Sequence, residues 1–248
     1  MKRILPLLLT GALILSLAAC GSETGESGQS SSAAPSSSSP QAETETDSAA
    51  VAPSIDTEET VSQISDSDIL IAYFTMPEDV DTEGVDAISG ASIVVNGGEV
   101  MGNVEYMASI IQETVGGDLF QIETVEQYPL DHDPLVDQAA EEQDADARPE
   151  LATHIDNLEQ YDTIFLGYPN WWADLPMAVY SFFDEYDFSG KTIIPFNVHN
   201  GSRFSRTIQT IEELEPDATV IEDGFTVSEQ TVAEAAPDVA DWLAGLGY

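Results

Sequence analysis

The amino-acid sequence predicts an α/β fold: a doubly wound, five-stranded parallel sheet with helices on both faces, preceded by a signal peptide and a disordered linker. Three observations point there. From Asp68 onward, short apolar runs alternate with amphipathic stretches, as they do when strands and helices take turns along the chain. The strongest runs are apolar without alternation, the mark of strands covered on both faces. Residues 20 to 66, by contrast, contain no aromatic side chain and cannot build a core.

The elements follow in chain order. Lys2 and Arg3 give a positive start, and Ile4 to Leu17 is an apolar run too short to span a bilayer comfortably, which together read as a secretory signal peptide. The run ends in Leu17-Ala18-Ala19-Cys20-Gly21, which resembles the lipobox of bacterial lipoproteins. The mature chain is therefore expected to begin at Cys20, lipidated and held on the outer, extracytoplasmic face of a bacterial cell membrane. Cys20 is the only cysteine, so neither an internal disulfide nor thiol chemistry is available to the mature chain. Residues 20 to 66, rich in Ser, Ala and acids, read as a flexible tether whose ends lie roughly 35 to 40 Å apart.

Residues 67 to 248 make one domain. Ile69 to Phe74, Thr163 to Gly167 and Thr192 to Val198 read as buried strands, with Leu119 to Ile122 and Thr219 to Ile221 as shorter ones nearer the sheet edges. Val104, Met107, Ala108, Ile111 and Val115 fall on one helix face, and Gly116-Gly117 ends it. Pro176 suits a first helical turn before Met177 to Phe183. Val239, Trp242, Leu243 and Leu246 mark a closing helix. Two stretches exceed an ordinary connection: Met76 to Met101, expected to be a lid, functional loop or small ordered insertion, and Glu126 to Leu158, read as loop, helix, loop.

Charge narrows the function classes. Without residues 1 to 19, the basic side chains are Arg148, Lys191, Arg203 and Arg206, against 46 acidic ones. Such a surface disfavours nucleic acid and favours solubility or basic partners. His199 has no companion histidine or cysteine at ligand spacing, which argues against a metal site.

In an open parallel sheet, ligands gather beyond the carboxyl ends of the strands. Three loops there carry candidate residues. Thr75 ends the first strand, and Gly102-Asn103-Val104 opens a helix, either as a plain turn and cap or as a seat for an anion. Gly167-Tyr168-Pro169-Asn170-Trp171-Trp172 ends the third strand; adjacent tryptophans in extended chain face opposite ways, so either one of them meets a cleft or solvent or both pack in the core or an interface. His199-Asn200-Gly201-Ser202-Arg203-Phe204 follows the fourth strand and brings small polar groups with two of the basic side chains close by.

Taken together, these stretches closely resemble the flavodoxin-like family, with the Tyr168-Pro169-Asn170-Trp171-Trp172 run as the specific part. The resemblance covers Asp68 to Tyr248. It implies an FMN site: Thr75 with the backbone of Gly102, Asn103 and Val104 for the phosphate, Tyr168, Pro169, Asn170, Trp171 and Trp172 along the isoalloxazine, and His199, Asn200, Gly201, Ser202 and Phe204 at its pyrimidine side. This chain departs from the family's compact hydroxyl-rich phosphate loop: it has the 76–101 insertion and Val104 where a threonine is usual, with Ser89 and Ser92 available as substitutes. The expectation is a tethered FMN protein that transfers electrons with an unidentified redox partner. The alternatives are an FMN-dependent reductase of quinones or other small acceptors, and a lipoprotein that binds a non-flavin ligand on the same fold.

Overall fold

The computed structural model describes residues 67–77, 79, 87–88, 92–96 and 98–248. The signal peptide, the tether and Cys20 lie outside the described residues, as do Ser89 and part of the 76–101 insertion. Ile69–Tyr73 (β1), Asp118–Gln121 (β5), Thr163–Pro169 (β6) and Thr192–His199 (β7) form the parallel sheet, joined by Thr219–Val220 (β8) and Phe225–Ser228 (β9). The strand order is β5-β1-β6-β7-β8, with β9 also on β7. Every pair is parallel, and the first strand lies second in the sheet. This is the doubly wound arrangement expected.

Side-chain alternation divides the sheet into two cores. Leu70, Ala72, Phe74, Ile164, Leu166 and Ile193 face one side, where Phe182 of α3 (Met177–Glu185) and Ile211 of α4 (Thr207–Leu214) cover them. Ile71, Tyr73, Phe165, Ile194 and Phe196 face the other, under Val104, Met107 and Ile111 of α1 (Asn103–Val115) and Val239 and Leu243 of α5 (Ala236–Leu246). Strands β1, β6 and β7 are buried on both faces, which is why their runs are apolar without alternation. The turn after α1 depends on glycine. Gly117 has φ +92°, and a Cβ there would lie 2.8 Å from the Ile69 carbonyl oxygen.

The fifth strand differs from expectation. It is split: β8 pairs with Thr192 and Ile193, the chain leaves the edge, and β9 returns beside Phe196 to His199. Pro195 lies at the break. The Ile193 carbonyl accepts from Ile221 N–H, so by alternation Pro195 faces the same edge, with no N–H to offer. Gly224 fits against the Pro195 carbonyl, where a Cβ would collide.

The insertion is an ordered one in its described part. Ala87–Ile88 (β2), Ile93–Asn96 (β3) and Glu99–Gly102 (β4) form a small antiparallel sheet, and β4 runs directly into α1. Val94 joins the core beneath α1. Between β5 and β6, the expected loop-helix-loop contains α2 (His132–Asp144). Its flanks are tied by Val125 N–H to the Glu150 carbonyl and Ala152 N–H to the Glu123 carbonyl.

Candidate functional site

At the carboxyl edge of the sheet, a cleft of about 230 Å³ opens between the ends of β1, β6 and β7, the start of α1 and one face of α2. The topology produces it. Connections from β1 and β6 leave toward opposite faces of the sheet, so their loops part at this edge.

The wall after β6 is a tight hairpin. Trp171 and Asp174 exchange both backbone hydrogen bonds, at 3.1 and 2.9 Å, and the two residues between them, Trp172 and Ala173, have φ of +50° and +64°. Two consecutive left-handed residues make a type I′ turn, built here without glycine at a cost of about 1 kcal/mol or more for each residue. The turn separates the two indoles. Trp171 packs edge-on against Phe74 and Tyr128, with ring centroids 5.4 and 5.7 Å away. Trp172 is 56% exposed and reaches across to α2, where its Nε1–H donates to the Val136 carbonyl at 3.3 Å. Both line the cleft.

The polar rim comes from asparagines and one histidine. Asn170 donates from Nδ2 to the Arg203 carbonyl at 2.5 Å, and buried Asn197 donates to the same carbonyl at 3.0 Å. These two amides hold the loop after β7, in which Arg203 sits at φ +53°. With their nitrogens so committed, the buried Oδ1 atoms of Asn170 and Asn197 have no hydrogen-bond partner among the described residues, nor has Oδ1 of Asn103. Asn103 and Asn170 line the cleft. A buried acceptor left unpaired costs about 1–3 kcal/mol, a cost that a ligand N–H or O–H at this position would remove.

His199 accepts the Gly201 N–H on Nδ1 at 2.8 Å, which leaves its proton on Nε2. Burial, and then the neighbouring Arg203 guanidinium, hold its pKa below the usual histidine value. It is a neutral donor at physiological pH. Glu229, just past β9, also lines the cleft, and its N–H is bound to the His199 carbonyl at 3.0 Å.

At the start of α1, two backbone donors are already engaged. Gly102 N–H donates to Glu105 Oε2 at 3.0 Å, and Asn103 N–H donates to the Ser92 carbonyl at 2.9 Å. Thr75 is 4% exposed and presses against Gly102 so closely that any Cβ on Gly102 would overlap its hydroxyl. Among the described residues, no lysine or arginine lines the cleft.

The expected site residues therefore divide. Thr75, Asn103, Val104, Pro169, Asn170, Trp171, Trp172, His199 and Asn200 meet at the cleft. Five others do not line it. Tyr168 points into the core on strand parity, fully buried, its hydroxyl donating to Thr207 Oγ1 at 2.9 Å. Gly102 is walled off by Thr75 and Glu105. Gly201 and Ser202 are exposed, and Phe204 packs against the core. Several cleft residues were not anticipated. His132, Leu135, Val136 and Ala139 fall at i, i+3, i+4 and i+7 of α2, a pattern open to counting. Glu229 follows a strand whose existence was missed. Met76 and Val198 complete the lining together with Ser92, the substitute hydroxyl expected from the insertion.

Residues 93–245 match the protein-family model described as Flavodoxin. No match was found among curated protein sequences. Among solved structures, a candidate flavoprotein from Bacteroides eggerthii aligns at 24% identity over 69% of this chain and 97% of its own, with a TM-score of 0.50. A candidate flavoprotein from Bacteroides uniformis aligns at 25% identity over 67% and 95%, with a TM-score of 0.49. A flavoprotein from Lactobacillus acidophilus, solved in complex with FMN, aligns at 17% identity over 68% and 97%, with a TM-score of 0.46.

Proposed function

The chain belongs to the flavodoxin family, and from that premise we propose that it is an FMN-binding electron carrier, tethered through lipid on Cys20 to the extracytoplasmic face of a bacterial cell membrane. The observation that carries the flavin reading is the pairing of an aromatic hairpin with unpartnered amide oxygens. Trp171 and Trp172 offer flat apolar surface to a ring system, while Asn170 beside them offers a buried acceptor to a polar N–H edge and Asn103 a second acceptor at the start of α1. Once bound, the isoalloxazine supplies one- and two-electron chemistry that no side chain of this protein provides.

The chain's own residues then set the field around the ring. His199 stays neutral and donates from Nε2, so it orients without adding positive charge. Glu229 lines the same space, and among the described residues no lysine or arginine lines it. In a sequence with 46 acidic and 6 lysine and arginine side chains, negative charge gained on reduction is disfavoured, which favours a low potential. The lipid tether has a separate basis in Leu17-Ala18-Ala19-Cys20, and among the described residues no helix is long and apolar enough to cross a membrane. Fractionation tests it: the chain is expected with the membrane, and Cys20→Ser is expected to abolish processing at residue 20 and lipid attachment. An unchanged processing pattern in that variant would overturn the anchor.

A further inference from the structure

The two ends of the cleft differ in chemistry. The ring end offers indoles and the free amide oxygen of Asn170, whereas at the start of α1 two backbone donors suited to a phosphate are spent, and the Glu105 carboxylate and the Asn103 amide oxygen are acceptors. Gly102 N–H is bound to Glu105, and Asn103 N–H is bound to Ser92. A helix start is a natural anion seat, and here the helix's own Glu105 carboxylate already occupies it. Val104 adds a valine side chain that lies in the core under α1 rather than a hydroxyl.

Charge points the same way across the whole sequence. Residues 76–101 contain Glu78, Asp79, Asp81, Glu83, Asp86 and Glu99 and no lysine, arginine or histidine, so no folding of that segment brings a cation to a phosphate. The lysine and arginine side chains of the domain do not line the cleft. Arg148 is paired with Asp146 and Asp184, and Lys191 donates to the Leu158 and Tyr161 carbonyls at the opposite edge of the sheet. Arg206 faces Asp174 and Glu213, and Arg203 lies in the loop beside His199. The buried Tyr73 hydroxyl near this corner is pushed up to about 12, by burial first and then by Glu105 and Glu123, which reports the local negative field.

Resting on the flavin reading of the cleft, we infer that this site holds its flavin by the ring system and gains little from the phosphate ester, so that riboflavin binds about as tightly as FMN. Among the described residues, the hydroxyls that line the cleft, those of Thr75 and Ser92, serve a ribityl chain as readily as a phosphate.

The test is parallel titration of the mature chain with riboflavin and FMN at low ionic strength, read by quenching of flavin fluorescence. The expected ratio of dissociation constants, riboflavin over FMN, is below about fivefold. Added salt should tighten FMN and leave riboflavin unchanged, because screening relieves repulsion only for the charged ligand. Glu105→Gln, which retains an acceptor for Gly102 N–H, should tighten FMN by about fivefold without moving riboflavin. FMN binding more than about fivefold tighter than riboflavin, or an equal effect of Glu105→Gln on both, overturns the inference while leaving the flavin site in place. If neither flavin binds, the flavin reading itself fails and the inference falls with it.

Discussion

Gly102→Ala examines the packing behind Thr75, which lines the cleft, at one atom. Gly102 has φ −64° and ψ 147°, which alanine adopts freely, so the substitution carries no backbone cost and its effect is steric. The new Cβ would overlap the Thr75 hydroxyl, lie 3.0 Å from its Cγ2 and 3.1 Å from its Cβ, and Thr75 is too buried to swing aside. Overpacking of this kind costs about 1–3 kcal/mol, or about 2–4 °C in Tm for each kcal/mol in a domain of this size. Thr75→Ala alone should cost on the order of 1 kcal/mol, for a lost buried methyl and hydroxyl. In the double variant the added methyl occupies the vacated space, so the combined cost should fall short of the sum by about 1 kcal/mol or more. Urea unfolding of the mature chain, followed by tryptophan fluorescence, measures all three. A Gly102→Ala variant within about 0.5 kcal/mol of the parent, or additivity of the two substitutions within the same margin, would refute the packing described here.

Three further outcomes follow from the geometry. Trp172→Ala should weaken flavin binding about tenfold, as expected for loss of one stacking ring, and Trp171→Ala should instead destabilise the fold by about 3–5 kcal/mol because that ring packs on Phe74 and Tyr128. Equal stability losses in the two would contradict their assignment. Ala173→Gly, at φ +64° on an exposed turn, should stabilise by about 0.5–1 kcal/mol, since relief of the left-handed strain exceeds the entropy of glycine; a destabilised variant in urea would contradict the type I′ turn. Glu215 is pushed up to about 7, by burial first and then by Asp187 and Asp184. Its folded pKa exceeds the unfolded one, so the fold binds the proton more tightly and loses stability as pH rises from about 4.5 to 7. Glu215→Gln should accordingly raise Tm by about 2–4 °C at pH 8, after discounting for its partial exposure, and by less at pH 5; an equal gain at both would refute it.

Much of the fold was legible because burial on two faces leaves a plain signature. Ile69 to Phe74 and Thr192 to Val198 have no polar alternation to confuse, and the apolar face of α1 repeats at helical spacing. The second half of the fifth strand was not legible. Phe225-Thr226-Val227-Ser228 is half polar because it lies at an edge, and the break before it arises from Pro195 on the neighbouring strand. The same distinction runs through the site. The burial of Tyr168 follows from strand parity, which it shares with Ile164 and Leu166, whereas the two tryptophans diverge through the left-handed turn at Trp172 and Ala173 and not through the extended alternation expected. Engagement of Asn103 N–H by Ser92 depends on how the insertion folds back, and local spacing carries no trace of it.

The account stands most directly on flavin capture by the Trp171–Trp172 cleft. Titrating the ligand-free mature chain with FMN should quench the flavin fluorescence at one flavin per chain, with the quenching reduced in Trp172→Ala. Fluorescence that stays at the level of free FMN, with no shift in the flavin absorption bands, would contradict it.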